Sequence, residues 1–238
     1  MFHALGRAVG KSAEDRRALA ELCGPVRQVP AKRDIVHEGD WPDHVRLVLD
    51  GWAARYQVLP DGARQITGFL IPGDFCDLRA AVLPRTDQGV VAISSVAVAE
   101  IPHEALQALA GARHGLSLTL LSIVFLDDAV LRSWLVSLGR WDAGQRIAHL
   151  ICEMHVRLGR VDLVEDDSFD MPLTQEELGD AMGLTSVHCN RMLRTLHGRG
   201  LIEWRRRTMT IVDLPALRSA AAFDPGYLDI RHRPNRTR

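Results

Sequence analysis

Between Val26 and Ile101 the apolar positions fall in short runs, DIVH, HVRLVL, WAARYQVL, RQITGFLI, VVAIS and VAVAEI, rich in β-branched residues. Gly39-Asp40, Asp50-Gly51, Asp61-Gly62 and Pro72-Gly73 punctuate them about every 11 residues. Strand-length runs with turn signals at that spacing predict a compact antiparallel barrel or sandwich. In Pro60-Asp61-Gly62 the proline presets one dihedral and the glycine accepts a positive one, so the chain reverses there. Ahead of this region SAEDRRALAELC, residues 12–23, reads as a short helix. Ser12 is placed to cap it and Asp15 to complete a capping box.

From Pro102-His103-Glu104 onward the apolar period lengthens and a long helical region is expected. Leu116, Leu120, Ile123, Val130, Trp134 and Leu138 recur at three- and four-residue steps, and Val124, Leu131 and Leu135 widen the stripe. So broad a stripe exceeds what one barrel covers, and a symmetric partner helix would bury the remainder. Packing against the chain's own barrel is the alternative. Asp127 falls on the seam, where a plain coiled coil would not place a carboxylate. Trp141-Asp142 starts a further helix, with Arg146, Ile147, Leu150, Ile151, Met154 and Leu158 in phase and Gly159 at its end. RVDLVEDDSFDMP follows as an acidic connection, expected to be mobile.

The third unit is helix LTQEELGDAMG, a turn around Gly183, helix SVHCNRMLRTLHGRG, and LIEWRRRTMTIVD as a pair of short strands. Thr174 with Glu177 three residues later is a capping-box signature that fixes where the first helix begins. Helix, tight turn, helix and β-wing make a winged helix-turn-helix. Met192, Leu193, Leu196, Leu201 and Ile202 supply its packing face, and Cys189, on the same side, reads as a small core residue. The rest of the second helix holds Thr185, Ser186, His188, Asn190, Arg191, Arg194, His197 and Arg199, with no carboxylate from Thr185 to Arg199.

In a helix-turn-helix the second helix enters the DNA major groove and its first two turns face base edges. A reading face there needs donors and must avoid carboxylates, which phosphates repel. Ser186, Asn190 and Arg191 have the reach for base edges, and Val187 can lie on a thymine methyl. Arginine suits guanine and asparagine suits adenine, each by a two-pronged contact. Thr174, Gln175, Thr185, His188 and Arg194 fall naturally against phosphates, which orient without reading sequence. Arg205, Arg206 and Arg207 extend that positive surface at the wing tip. Arg191 has a second possible role, as a partner for Glu176 or Glu177 within the domain.

The formal net charge of −1 hides a division. From Thr185 onward there are 11 arginines and 4 carboxylates, a balance of +7, against 18 basic and 26 acidic residues before it, or −8. That asymmetry points to an anionic partner for the C-terminal part. A solvated basic tail accounts for Arg231 to Arg238 but not for the helix upstream. Cys23, Cys76, Cys152 and Cys189 are far apart, so neither a zinc ribbon nor a disulfide framework is indicated and a reducing cytoplasm is expected. MFHALGRAVGKSAEDRR lacks a secretory pattern, and no uncharged apolar run reaches the roughly 18 residues of a membrane span. His188, Cys189 and Asn190 include the residue types of a thiol catalytic set. As neighbours on one helix they point to different faces and cannot converge on one substrate, so no enzyme, catalytic residue or metal site is assigned.

Gly39-Asp40, VLDGWAARY, PDGARQITGFLIPGDF and, above all, LTQEELGDAMGLTSVHCNRMLRTLHGRGLI resemble the cyclic AMP receptor / fumarate-nitrate reduction regulator (Crp/Fnr) family of bacterial transcription factors. The likeness covers about residues 12–215. It implies an α+β chain divided into a jelly-roll-like sensor barrel of cyclic-nucleotide-binding type (1–110), a dimerisation helix (111–140), a winged helix-turn-helix DNA-binding domain (141–215) and a C-terminal tail (216–238). It also implies a homodimer, joined around 113–138, that binds a roughly palindromic site on double-stranded DNA through the helix 185–197.

The departures from the family are specific. Nucleotide-binding members carry a glutamate for the ribose and an Arg-Ser/Thr pair for the phosphate after the PGDF segment. Those positions fall here near Leu78 and on Gln88-Gly89, which cannot neutralise a cyclic phosphate. Gly73, Arg85 and Thr86 are the nearest substitutes for an effector site. Cys23 stands alone where iron-sulfur members have several cysteines, so neither that cluster nor a cyclic nucleotide is indicated and the cofactor is unknown. A haem would need an axial ligand among His37, His44, Cys76 and His103. Many members also have a glutamate where Val187 stands, and it accepts from cytosine. Its loss predicts a different operator.

The expected function is a cytoplasmic transcriptional regulator in which an effector in the barrel shifts the paired helices. An activator would also touch RNA polymerase through a patch on barrel or wing. The alternative is a small-molecule binding module whose winged helix contacts partner proteins.

Overall fold

The computed structural model describes residues 12–83 and 85–228. Helix α1, Ala13–Leu22, begins where expected, with the Ser12 hydroxyl accepting the Asp15 amide. Seven strands follow: β1 (Val26–Val29), β2 (Asp34–Val36), β3 (His44–Asp50), β4 (Ala53–Val58), β5 (Arg64–Leu70), β6 (Gly89–Ala92) and β7 (Val96–Pro102). They pair antiparallel in two sheets, β1-β7-β3 and β2-β6-β4-β5. Val29, Val48, Leu70, Val90 and Val98 are buried together as the β-branched and leucine core of these sheets. The β4–β5 reversal falls on Pro60-Asp61-Gly62, with Gly62 at φ +84°. β1 escaped the sequence pattern because it is an edge strand, with only Val29 buried.

The long helical region is two helices. α2 (His103–Ala112) ends at Arg113, whose φ of −130° and ψ of 93° leave the helical region, and α3 (His114–Arg140) starts at once. α3 has 27 residues, roughly 40 Å at 1.5 Å per residue. Leu116, Leu120 and Ile123 bury one face of it against Leu19, Val45, Leu47, Phe75 and Ile101. Further along, Trp134 meets Phe69 edge-on at 5.8 Å. Asp127 is not a seam residue: it turns to the barrel and accepts from Arg55 at 2.9 Å. The opposite face stays apolar and exposed at Leu118, Leu121, Phe125, Leu131, Leu135 and Val136. By length and composition alone α3 would suffice to cross a bilayer; Leu116, Leu120, Ile123 and Trp134 are instead packed against the rest of the chain.

α4 (Ala143–Gly159) opens with a full capping box between Asp142 and Gln145. Its buried face, Ile147, Leu150, Ile151, Met154 and Leu158, joins Trp52, Phe69 and Trp134 to the core of the third unit. The acidic connection expected to be mobile contains a strand, β8 (Ser168–Asp170), which pairs with the later strand Thr208–Ile211, and Val161, Phe169 and Met171 are buried. Three residues are too few to announce a strand among so many carboxylates. The expected tail is also corrected. α7 (Leu214–Ala220) and a 3-10 turn, Pro225–Leu228, bury Leu217, Ala221, Phe223 and Leu228. Tyr227 reaches Glu153 of α4 at 2.9 Å. Only Asp229–Arg238 of that tail, including the basic stretch from Arg231, lies outside the described residues, as does the start of the chain through Lys11.

Candidate nucleic-acid interface

α5 (Gln175–Met182) is started by Thr174 and stopped by Gly183, at φ +63°. A Cβ on Gly179 would sit 2.4 Å from the Leu184 carbonyl oxygen, so the turn closes only around glycine. α6 (Ser186–Gly198) follows with Thr185 as its cap, accepting the His188 amide at 3.2 Å. Cys189, Leu193 and Leu196 are its buried positions. Burial pushes the Cys189 thiol pKa up, in keeping with a packing role.

That leaves the expected reading face outward. Ser186, Val187 and Arg191 are exposed, Val187 to 78 %, and Asn190 and His188 are half-buried beside them. Among the described residues Arg191 forms no ion pair with Glu176 or Glu177; Glu177 instead accepts from the Thr174 hydroxyl at 2.9 Å and amide at 2.7 Å. Thr174 thus has both its donors committed to capping α5, and Gln175 is the neighbour free to reach outward.

The wing is the hairpin of β9 (Ile202–Arg205) and β10 (Thr208–Ile211), with Arg206 and Arg207 as its two-residue turn. Arg205 pairs with Glu203 at 3.0 Å and Arg207 with Asp170 at 3.0 Å. Between α5, α6 and the wing lies a cleft of about 580 Å³ whose lining includes Gln175, Asn190, Arg194, Trp204, Arg205 and Arg206. Sequence reasoning missed Trp204 and, as a lining residue, His197. The Trp204 indole N–H is buried without a hydrogen-bond partner, and His197 Nδ1 lies 3.1 Å from the Ile202 carbonyl. An aromatic residue beside an arginine run was the available signal, but only the hairpin's fold-back on α6 brings it to this surface.

The expected effector residues do not share one set of bonds. Gly73 donates its amide to the Val48 carbonyl, whereas Arg85 reaches the Gly39 carbonyl at 3.3 Å and Thr86 the His37 carbonyl at 3.0 Å. Leu78 is buried against the α1–α3 cluster. Gln88 accepts from Thr67 at 2.7 Å, and the Tyr56 ring covers Gly89 so closely that a Cβ there would lie 2.5 Å from it. His37 and His44 are each paired with an aspartate, Asp34 and Asp43. Among the described residues no group of three or more His, Cys, Asp or Glu side chains forms a metal site.

Residues 145–220 match the Crp-like helix-turn-helix domain family and residues 26–113 the cyclic nucleotide-binding domain family. The transcriptional activator protein FnrL of Cereibacter sphaeroides is 28 % identical over 202 residues, covering 83 % of this chain and 81 % of its own. The nitrogen fixation regulation protein FixK of Rhizobium meliloti is 28 % identical over 205 residues, covering 84 % of this chain and 90 % of its own. FixK2 from Bradyrhizobium japonicum shares the fold with a TM-score of 0.76 at 24 % identity, covering 84 % of this chain and 98 % of that structure. The chain belongs to the Crp/Fnr family of transcriptional regulators.

Proposed function

We propose that this protein is a cytoplasmic, DNA-binding transcriptional regulator that works as a homodimer and reads a roughly two-fold-symmetric operator with α6. The observation that carries this is a helix face on which Ser186, Val187 and Arg191 are exposed with half-buried Asn190 beside them, without a carboxylate and with Arg191 uncommitted to any partner among the described residues. Ser186, Asn190 and Arg191 offer donors to base edges, and Val187 offers a methyl-sized apolar surface. Gln175, Thr185, His188, Arg194, Arg205 and Arg207 supply phosphate contacts around it; Thr174 serves them indirectly, by fixing the start of α5. The exposed apolar face of α3 supports dimerisation, since the same face on a second copy would cover it in a two-fold arrangement. The division into a sensor barrel (1–110), dimerisation helix (111–140) and DNA-binding domain (from 141) goes with this reading, the last extended through Leu228. An activator of this kind, as FnrL is named, would also meet RNA polymerase.

Selection of bound sites from a random duplex pool tests the proposal, followed by titration of the winning site against salt. The expected outcome is an inverted repeat whose affinity falls steeply with salt, as phosphate neutralisation requires. No enrichment over scrambled duplexes would overturn it and favour a winged helix that contacts proteins.

A further inference from the structure

The three wing-tip arginines are chemically alike in sequence but differ in the fold. Arg205 is held by Glu203 at 3.0 Å. Arg207 is held by both oxygens of Asp170, at 3.3 and 3.0 Å. Arg206, between them, has no hydrogen bond or ion pair among the described residues and is exposed. It is also the residue with φ of +56°, the first of the two turn residues between Arg205 and Thr208. Glycine or asparagine would fill that left-handed position at lower cost than arginine. Strain of this kind, kept at an exposed tip, points to a use for the side chain.

The cleft supplies the geometry. Asn190 and Arg194 of α6 line one side, and Trp204, Arg205 and Arg206 of the wing line the other. With α6 in the major groove, the strand that fits between these walls is the sugar-phosphate backbone that separates the major groove from its neighbouring minor groove. A surface that straddles that backbone has one wall in each groove. Strands of four residues give the hairpin a reach of roughly 13 Å, comparable to the roughly 17 Å of half a DNA turn. Arg205 and Arg207, steered by Glu203 and Asp170, stay beside the backbone, while the uncommitted guanidinium stands at the tip.

We infer that Arg206 enters the minor groove flanking each half-site and reads its width, so that the protein prefers A·T-rich flanks it never contacts base by base. Narrow A·T minor grooves concentrate negative potential, and a guanidinium, being more weakly hydrated than an ammonium, gives up its water there more readily. This inference rests on the DNA-binding reading above.

The test uses the full-length protein and site selection in parallel for wild type, Arg206→Lys, Arg206→Asn and Arg207→Ala. Wild type is expected to enrich an operator core together with A·T pairs outside it. Both Arg206 variants should keep the core and lose the flank preference, on the order of tenfold in the ratio of Kd values for A·T and G·C flanks. Arg206→Lys keeps the charge, so its salt dependence should stay near wild type, and Arg207→Ala should weaken both flanks alike. Arg206→Asn should melt no lower than wild type, because asparagine tolerates the left-handed turn. An unchanged flank preference in both Arg206 variants, or equal weakening of both flanks by Arg206→Asn with rescue by lysine, would make Arg206 a phosphate contact and overturn the inference alone. Absence of any enriched core in the wild type would overturn the DNA-binding reading with it.

Discussion

Arg157 of α4 donates to Asp74 at 2.8 Å, and that bond ties the first helix of the C-terminal unit to the barrel turn after β5. The same guanidinium reaches Glu153 at 3.1 Å and the Phe69 carbonyl at 2.8 Å. Burial opposes its charge, yet the Asp74 and Glu153 carboxylates hold its pKa above the ordinary arginine value. Removing the shared cation leaves the fully buried Glu153 carboxylate without its arginine and takes one partner from the part-buried Asp74. Arg157→Met should therefore cost about 3–5 kcal/mol of unfolding free energy. Asp74→Asn should cost clearly less, because Glu153 still pairs with the arginine. Urea unfolding of both variants checks this, and equal losses would show that the three groups do not act as one unit.

His149 predicts an acid sensitivity. Its ring lies between Trp141 and Phe223, at centroid distances of 4.6 and 5.0 Å, and stacks on Tyr227. Burial lowers its pKa below the ordinary 6.5, with Glu153 opposing. Below about 6.5 the unfolded chain therefore takes up a proton that the native state excludes, so stability falls as pH drops through that window. Denaturation midpoints at neutral and mildly acid pH should diverge in wild type and converge in His149→Gln. A His149→Gln slope identical to wild type would assign the sensitivity elsewhere.

The open face of α3 predicts the assembly. Leu135 is 71 % and Phe125 54 % exposed in the single chain. Charges placed there lie outside the barrel contact and should leave the fold intact while opposing pairing. Leu135→Glu combined with Phe125→Asp should give a folded monomer by sedimentation, with operator affinity reduced at least about a hundredfold by the loss of two-site binding. A dimer that survives both charges would mean that another surface joins the subunits.

Arg191 should separate reading from holding. Its bidentate contact to a base is worth about 1–3 kcal/mol, so Arg191→Ala should weaken the selected operator by roughly 10- to 100-fold and random duplex far less. Competition titration with the two DNAs measures the ratio. Equal weakening would place Arg191 on a phosphate.

What the sequence by itself determined is local: strand runs and their glycine turns, the helix start at Trp141-Asp142, the capping box at Thr174, the two helices about Gly183 and the acid-free stretch from Thr185 to Arg199. Each is set by residues a few positions apart, where dihedral preference and side-chain spacing act directly. Asp127 read as a flaw in a helical seam until the fold set Arg55, 72 positions earlier, beside it. β8 was hidden among carboxylates because a three-residue strand is stabilised by its ladder partner β10, not by its own composition. The C-terminal residues gave no periodic signal, yet Tyr227 and Leu228 are packed on α4 through Glu153 and Arg160. The same holds at the wing, where composition offers three equal arginines. Only the placement of Glu203 and Asp170 singles out Arg206, because pairing of charges depends on distance in space and not on order along the chain.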